Sequence, residues 1–414
     1  MTGEILFVII IAILVINFIK DEIISYTNAQ HFNDPIPEVL NDVYDPKEYT
    51  KSQDYKSVNH KFSTFSGVFS FVITLSFFLV GGVACVEQLT TSITQNTILQ
   101  TLVFFGIVGL ASSIIQIPFE YYQTFVIEEK FGFNKSTKKL YWIDKVKGLI
   151  MTMVLGGGLL FIITWLYTQF QNNFWWYTWI VFSVFTLFLT LFYSSLIVPL
   201  FNKQTPLESG SLKDKLCTYA KAQGFALHHI FVIDGSKRST KANAYFTGFG
   251  PKKRIVLYDT LINDLSEEEI VAVFAHEVGH YKRKHTIFNI VSSLLLTGFT
   301  LFILGFLLGN PLLADAFNVE KSSFHIGLLA FGILYSPISE FTGLFMNLFS
   351  RKFEYQADDF AKETYNGAYL ISSLKKLSRN SLSNLTPHKW NVFFNYSHPT
   401  LLQRVLNLTN KTES

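Results

Sequence analysis

Two histidines and a glutamate within one short stretch are the residues in this chain best placed to do chemistry. Ala275-His276-Glu277-Val278-Gly279-His280 sets imidazoles at i and i+4, which share a helical face, with a carboxylate directly after the first. Both rings can then reach one metal ion while the glutamate stands beside it as a base for water, the HExxH arrangement of zinc-dependent peptide hydrolysis. The stretch must be helical for this to work. Ser266 and Glu269 form a capping box at its start, and Ile270, Val271, Val273 and Phe274 supply an apolar stripe. Two helical histidines can also be solvated or core residues, so the site needs a third ligand and a setting.

A catalytic zinc site takes three protein ligands and leaves a fourth position for water. A third histidine at metzincin spacing would fall on Thr286, the glycine of that pattern is replaced by Arg283, and His285 is one residue short of the register. A carboxylate from a second segment is the remaining solution. In Arg351-Lys352-Phe353-Glu354-Tyr355-Gln356-Ala357-Asp358 the two carboxylates Glu354 and Asp358 are i and i+4. One can bind metal while the other accepts the free N–H of a ligating histidine; the opposing reading is two solvated carboxylates near Lys352 and Lys362.

The elements that position these residues are mostly membrane spans. Of 414 residues 49% are hydrophobic and only 16% charged, and 42 are Phe, which is too apolar for a soluble globule. Nearly uncharged runs occur at 5–19, 65–86, 98–117, 149–167, 176–197, 287–308 and 326–349, giving seven spans. Trp142, Trp165, Trp175, Trp176 and Trp179 sit at or near their ends. The first run lacks the basic flank and small-residue cleavage site of a signal peptide and reads as a retained span. Of the 34 Lys and Arg, only Lys321 falls in the alternate loops. By the positive-inside rule the N-terminus is outside, and the HExxH helix and the C-terminus are cytoplasmic.

The expected organisation is spans one to five with their loops in 1–200, a cytoplasmic zinc domain in 201–285, spans six and seven in 286–349, and the rest of that domain in 350–414. Residues 212–222 read as an amphipathic helix ending at Gly224; 229–233, 244–247 and 254–257 read as strands of a small sheet. The net charge of +3 gives no reason to expect nucleic acid. Cys85 and Cys217 offer neither a disulfide framework nor a cysteine zinc cluster and read as packing residues.

Several separate stretches resemble the type I CAAX prenyl proteases, integral-membrane zinc metalloendopeptidases of the gluzincin type. They are 124–137 (TFVIEEKFGFNKST), Asp45-Pro46-Lys47-Glu48-Tyr49 with Lys51-Ser52-Gln53, and Pro199-Leu200-Phe201-Asn202-Lys203 before Thr205-Pro206-Leu207. Asn243-Ala244-Tyr245 with Gly248-Phe249-Gly250, and Ser397-His398-Pro399 through Arg404, complete the set. The resemblance covers nearly the whole chain, which is shorter than eukaryotic members chiefly between spans six and seven. It implies seven helices around a large chamber, closed at the cytoplasmic end by the zinc domain. It implies His276, His280 and Glu354 as ligands of one Zn2+ and Glu277 as catalyst, which leaves Asp358, by its spacing from Glu354, as the orienting carboxylate.

On that resemblance His398 donates to the tetrahedral oxyanion, and Arg404 binds a carboxylate or orients His398; otherwise they are a helix cap and a wet-face arginine. Asn243, Ala244 and Tyr245 are expected to hold an extended peptide along an edge strand, or else to be a structural hairpin. Glu340 inside span seven should face the bundle interior or water. The expected activity is hydrolysis near the C-terminus of peptide or protein substrates, prenylated CAAX proteins among them, with Glu277 as general base on the zinc-bound water. Broad quality-control proteolysis of membrane proteins is the alternative. A transporter or channel would place its polar groups at the membrane midplane, whereas these lie beyond the cytoplasmic ends of spans six and seven. No retention signal is evident at the C-terminus, which favours a bacterial inner membrane over the endoplasmic reticulum.

Overall fold

Long apolar runs become long helices because, in lipid, every backbone N–H and C=O must be satisfied within its own segment. The computed structural model describes residues 2–227, 229–247 and 254–410. Six helical stretches are long and apolar enough to cross a membrane: Gly3–Gln30, Pro46–Leu79, Thr97–Phe131, Lys138–Phe170, Phe174–Phe201 and His285–Leu307. A seventh is a bent pair, Phe324–Leu334 followed by a helical stretch from Ser336, with 51° between them. Only 6% to 17% of each straight helix's apolar window is buried inside the protein. So much exposed apolar surface is stable only in lipid.

Two runs differ from their reading as single straight spans. The run 65–86 is divided at Gly81, whose φ of 76° ends the helix Pro46–Leu79 and starts a separate one, Gly82–Ile93. That left-handed conformation suits a residue without Cβ. The run 326–349 bends after Leu334, where Pro337 has no N–H to give and its ring crowds the carbonyl four residues back. Glu340, just past the bend, pairs with Lys20 of the first helix, so neither charge faces lipid alone. Both cysteines lie exposed, Cys85 off the buried stripe Val83, Glu87 and Thr90, and Cys217 off the stripe Leu216, Tyr219 and Ala220.

Outside the spans is a four-stranded mixed sheet. Its strands are β1 (Gln204–Pro206), β2 (His229–Ile233), β3 (Ala244–Thr247) and β4 (Arg254–Tyr258), in the order β1-β2-β4-β3. β2 and β4 run parallel, and β1 and β3 add antiparallel at the two edges. The three-residue β1 has no alternation long enough to read from sequence. Ile230, Ile255 and Leu257 from the sheet share a core with Leu216 and Tyr219 of the helix Ser211–Ala222. Ile270, Val271, Phe274 and Val278 of the helix Glu267–Lys282 complete it. Burying that stripe fixes the rotation of the HExxH helix and turns its histidines away from the sheet.

Candidate metal centre

The HExxH helix starts where its sequence says it should. Ser266 accepts from Glu269 N–H while the Glu269 carboxylate accepts from Ser266 N–H, and Glu269 also takes bonds from Ser372 and Lys376 of the helix Gly367–Asn380. The second half of the centre comes from Ser336–Ala361, the helix that continues out of the bent span. Small residues let the two helices close together. A Cβ on Gly279 would stand 3.0 Å from Ala357 Cα and 3.1 Å from its carbonyl oxygen. Ala275, Ala357 and Ala361 are fully buried at the same seam.

This close approach brings His276, His280 and Glu354 to one point, with one ligand atom from each lying within 4.8 Å of the others. The two histidine Nε2 atoms are 3.1 Å apart, and the Glu354 oxygens lie 3.2 Å from His280 Nε2 and 3.4 Å from His276 Nε2. The outer ring nitrogens set the tautomers. His276 Nδ1 donates to Asp358 Oδ1 at 2.8 Å, which leaves Nε2 as an acceptor. Gln356 Oε1 accepts from His285 Nε2 at 2.8 Å, so His285 Nδ1 accepts from His280 Nδ1 at 3.0 Å, and His280 Nε2 is an acceptor too.

Two imidazole lone pairs and a carboxylate therefore converge, and Glu354 Oε2 is buried without a hydrogen-bond partner. Acceptors at these distances need a cation between them, and the donor set suits a borderline metal such as zinc. A proton is the simplest such cation. Burial lowers the pKa of His276, but bonds to Asp358 and Glu354 outweigh it and raise it to about 9. Burial opposes charge on Glu354 and Asp358, yet the histidines, with Arg404, hold both carboxyls below the usual range.

Arg404, on the helix Leu401–Thr409, grips Asp358 through Nε at 2.9 Å and Nη2 at 2.5 Å, and Nη1 lies 3.5 Å from Glu354 Oε2. The bidentate pair with Asp358 is the shortest contact of the guanidinium, whose Nη2 also lies 3.4 Å from His276 Nδ1, and no hydrogen bond joins it to His398 among the described residues. His398 stands at the open rim, 64% exposed, with Nε2 3.4 Å from Glu354 Oε1 and Nδ1 bonded to Ser397. Arg351 steadies that approach by donating to the carbonyls of Val392 and Tyr396. Glu277 is half-buried on the same helical turn as His276, and no described residue hydrogen-bonds its carboxylate.

Asn243, Ala244 and Tyr245 are at the free edge of the sheet: β3 pairs with β4 and with no other strand among the described residues. β4, the partner of this edge strand, leads through the short helix Asp259–Asp264 into the HExxH helix. The Tyr245 hydroxyl meets Ser194 Oγ at 3.3 Å. Gly248-Phe249-Gly250 lie outside the described residues. His285 and Gln356 were missed as partners of the centre; the one signal was that His285 fails the third-ligand register by a single residue.

A family model described as "CAAX prenyl protease N-terminal, five membrane helices" matches residues 25–203, and the model of peptidase family M48 matches 206–412. CAAX prenyl protease 1 of Saccharomyces cerevisiae is 33% identical over 96% of this chain and 93% of its own length. The Dictyostelium discoideum CAAX prenyl protease 1 homolog is 36% identical over 91% of this chain and 90% of its own length; for the Homo sapiens homolog the figures are 32%, 89% and 88%. Among solved structures, the crystal structure of S. mikatae Ste24p superposes with a TM-score of 0.93 at 33% identity, covering 97% of this chain and 99% of that one. With its mainly helical multi-pass architecture and its His-His-Glu centre, the chain belongs to peptidase family M48 as a CAAX-prenyl-protease-like membrane metalloprotease.

Proposed function

We propose that this chain is a zinc metalloendopeptidase that cuts peptide bonds near the C-termini of membrane-associated proteins, prenylated CAAX proteins among them. The convergence of His276 Nε2, His280 Nε2 and the buried Glu354 carboxylate carries the reading. Zinc held by these three would supply Lewis-acid polarisation of the scissile carbonyl and a lowered pKa for water.

The chain's own residues supply the rest. Glu277, beside the ligands and unbonded by other described side chains, accepts the proton of the attacking water and passes it to the departing amine. Asp358 and the pair His285–Gln356 hold the two rings so that Nε2 faces inward. Arg404 acts as a positioning residue, keeping Asp358 ionised. His398 at the rim donates to the oxygen that gains charge as the carbonyl becomes tetrahedral. The free edge of β3, with Asn243, Ala244 and Tyr245, aligns an extended peptide by backbone pairing.

The CAAX specificity rests on the names of the relatives. Residues 201–285 and 350–414 together make the peptidase unit, on the cytoplasmic side where all Lys and Arg but Lys321 fall. Because the relatives named above are eukaryotic, the endoplasmic reticulum replaces the bacterial inner membrane in this proposal. The test is cleavage of matched peptides with and without a farnesylated cysteine, together with zinc content. Wild-type protein should cut the farnesylated peptide faster, and Glu277→Gln should keep its zinc and lose about 10²-fold or more in rate. Equal rates on both peptides would favour broad quality-control proteolysis, and wild-type turnover by Glu277→Gln would remove Glu277 from the mechanism.

A further inference from the structure

A buried ammonium without a counter-ion lies near the start of the second membrane helix. Lys56 is 8% exposed, nine residues before the apolar run that begins at Phe65. Its Nζ makes one hydrogen bond, 3.4 Å to Asn384 Oδ1, and no carboxylate pairs with it among the described residues. The rings of Phe32 and Tyr49, with centroids 5.5 Å and 5.7 Å away, attract the charge without neutralising it. Asn384 carries the matching deficit, because its Nδ2 is buried with no hydrogen-bond partner. Both residues line a cavity of about 360 Å3 together with Ser25, His60, Ser383 and Tyr396. Two under-satisfied donors on residues that line one cavity call for an anionic acceptor, which the Asn384 amide, its nitrogen buried as it stands, would turn to meet.

The surroundings narrow its chemistry. One ammonium is balanced by one singly charged group, and a wall rich in hydroxyl and amide side chains suits the end of a peptide better than the acyl chains of a lipid. Two of its wall residues are linked through the chain or through packing to residues of the metal centre. Tyr396 in its wall lies two residues before His398. Leu382, also in the wall and held at a left-handed φ of 52°, packs in one cluster with Val405, the neighbour of Arg404.

We propose that Lys56 and Asn384 form a subsite for the C-terminal carboxylate of a peptide substrate. This rests on the reading of the chain as a peptidase acting near C-termini, and it adds a residue-level reason for a preference for chain ends. The carboxylate accepts from Lys56 Nζ and Asn384 Nδ2, completing both, and the peptide runs from there past Tyr396 towards the rim at His398.

The test uses full-length Glu277→Gln protein in phosphatidylcholine nanodiscs and a fluorescent peptide with either a free or an amidated C-terminus. The free acid should bind about tenfold or more tightly than the amide. Lys56→Met should erase that preference, and Lys56→Arg should keep part of it. Asn384→Asp should also erase it, by giving Lys56 an internal carboxylate, while raising thermal stability, so misfolding cannot account for the loss. In the otherwise wild-type enzyme the same changes should appear in KM with kcat little altered. An acid-to-amide ratio unchanged by all three variants, or no preference in the parent protein, overturns the subsite. Lys56-dependent binding of phosphatidylserine with no preference for the acid peptide overturns it too. If wild-type protein cuts neither peptide the peptidase reading fails, whereas the binding comparison still decides the subsite.

Discussion

Asp358 Oδ1 lies 2.8 Å from His276 Nδ1, and both oxygens of the same carboxylate are bound by Arg404. One fully buried anion therefore orients a ring of the His-His-Glu cluster and neutralises a buried guanidinium. Asp358→Asn should disturb both: it removes the charge and can set an amide N–H against the Arg404 donors. Leaving a buried charge without its partner costs about 3–5 kcal/mol, and loss of an orienting carboxylate costs about 10–100-fold in metal affinity. Chelator competition and thermal unfolding in detergent check the two effects separately. Wild-type metal retention in the variant would show that Asp358 serves Arg404 alone.

His280 is oriented without a carboxylate. Its Nδ1 meets His285, which is backed in turn by Gln356, and His285 also stacks on Phe353 with ring centroids 4.1 Å apart. A neutral pair holds a ring less strongly than an ion pair. His285→Phe should therefore keep the stacking and lose only the hydrogen bond, weakening metal retention by about tenfold, towards the lower end of such effects. The measurement is the rate of metal loss to excess chelator. A loss as large as that of Asp358→Asn would mean that His285 carries more than orientation.

The separation of the two halves of the centre depends on Gly279. Gly279→Ala gains about 1 kcal/mol of helix propensity but places a methyl 3.0 Å from the backbone of Ala357, where overpacking costs about 1–3 kcal/mol. The expected net change in stability is small, yet Glu354 moves away from His276 and His280, so metal affinity should fall further than stability. Gly279→Val, with more volume against Ala357 and Phe360, should lose both. Elemental analysis of purified protein beside its unfolding midpoint gives the comparison, and full metal occupancy in Gly279→Val would refute the seam as the controlling element.

What could be read from the sequence was what neighbours in the chain decide. The cap at Ser266 and Glu269, the buried stripe of Ile270, Val271 and Phe274, and the apolar runs all depend on spacings of a few residues. Strands β2, β3 and β4 were legible for the same reason, while β1 exists only because β2 offers it an edge. The i and i+4 spacing of Glu354 and Asp358 put both on one helical face, but which histidine each meets is set by the seam at Gly279. Arg404 shows the limit. Its partner is 46 residues back on another helix, so its placement against Asp358 and not His398 follows from tertiary packing, which no local pattern encodes. The break at Gly81 and the bend after Leu334 were marked by Gly and Pro, but a hydropathy window averages over such single residues.

Glu269 yields a prediction about acid. Burial raises its pKa, but bonds from Lys376, Ser372 and the Ser266 backbone outweigh this and hold the carboxyl below its ordinary value of 4.5. A carboxylate depressed in the folded state adds stability that is complete above the unfolded value and is lost as pH falls through the folded one. The junction between the HExxH helix and Gly367–Asn380 should therefore loosen as pH drops below 4.5. Glu269→Gln retains a side-chain oxygen for the cap and loses the charge, so at neutral pH it should cost about 1–2 kcal/mol. That gap should shrink on acidification, because the wild-type side chain becomes neutral as well. Unfolding midpoints of both proteins measured from pH 7 downward give the result; a gap that stays constant or widens would show that the Lys376 pair does not stabilise the start of the helix.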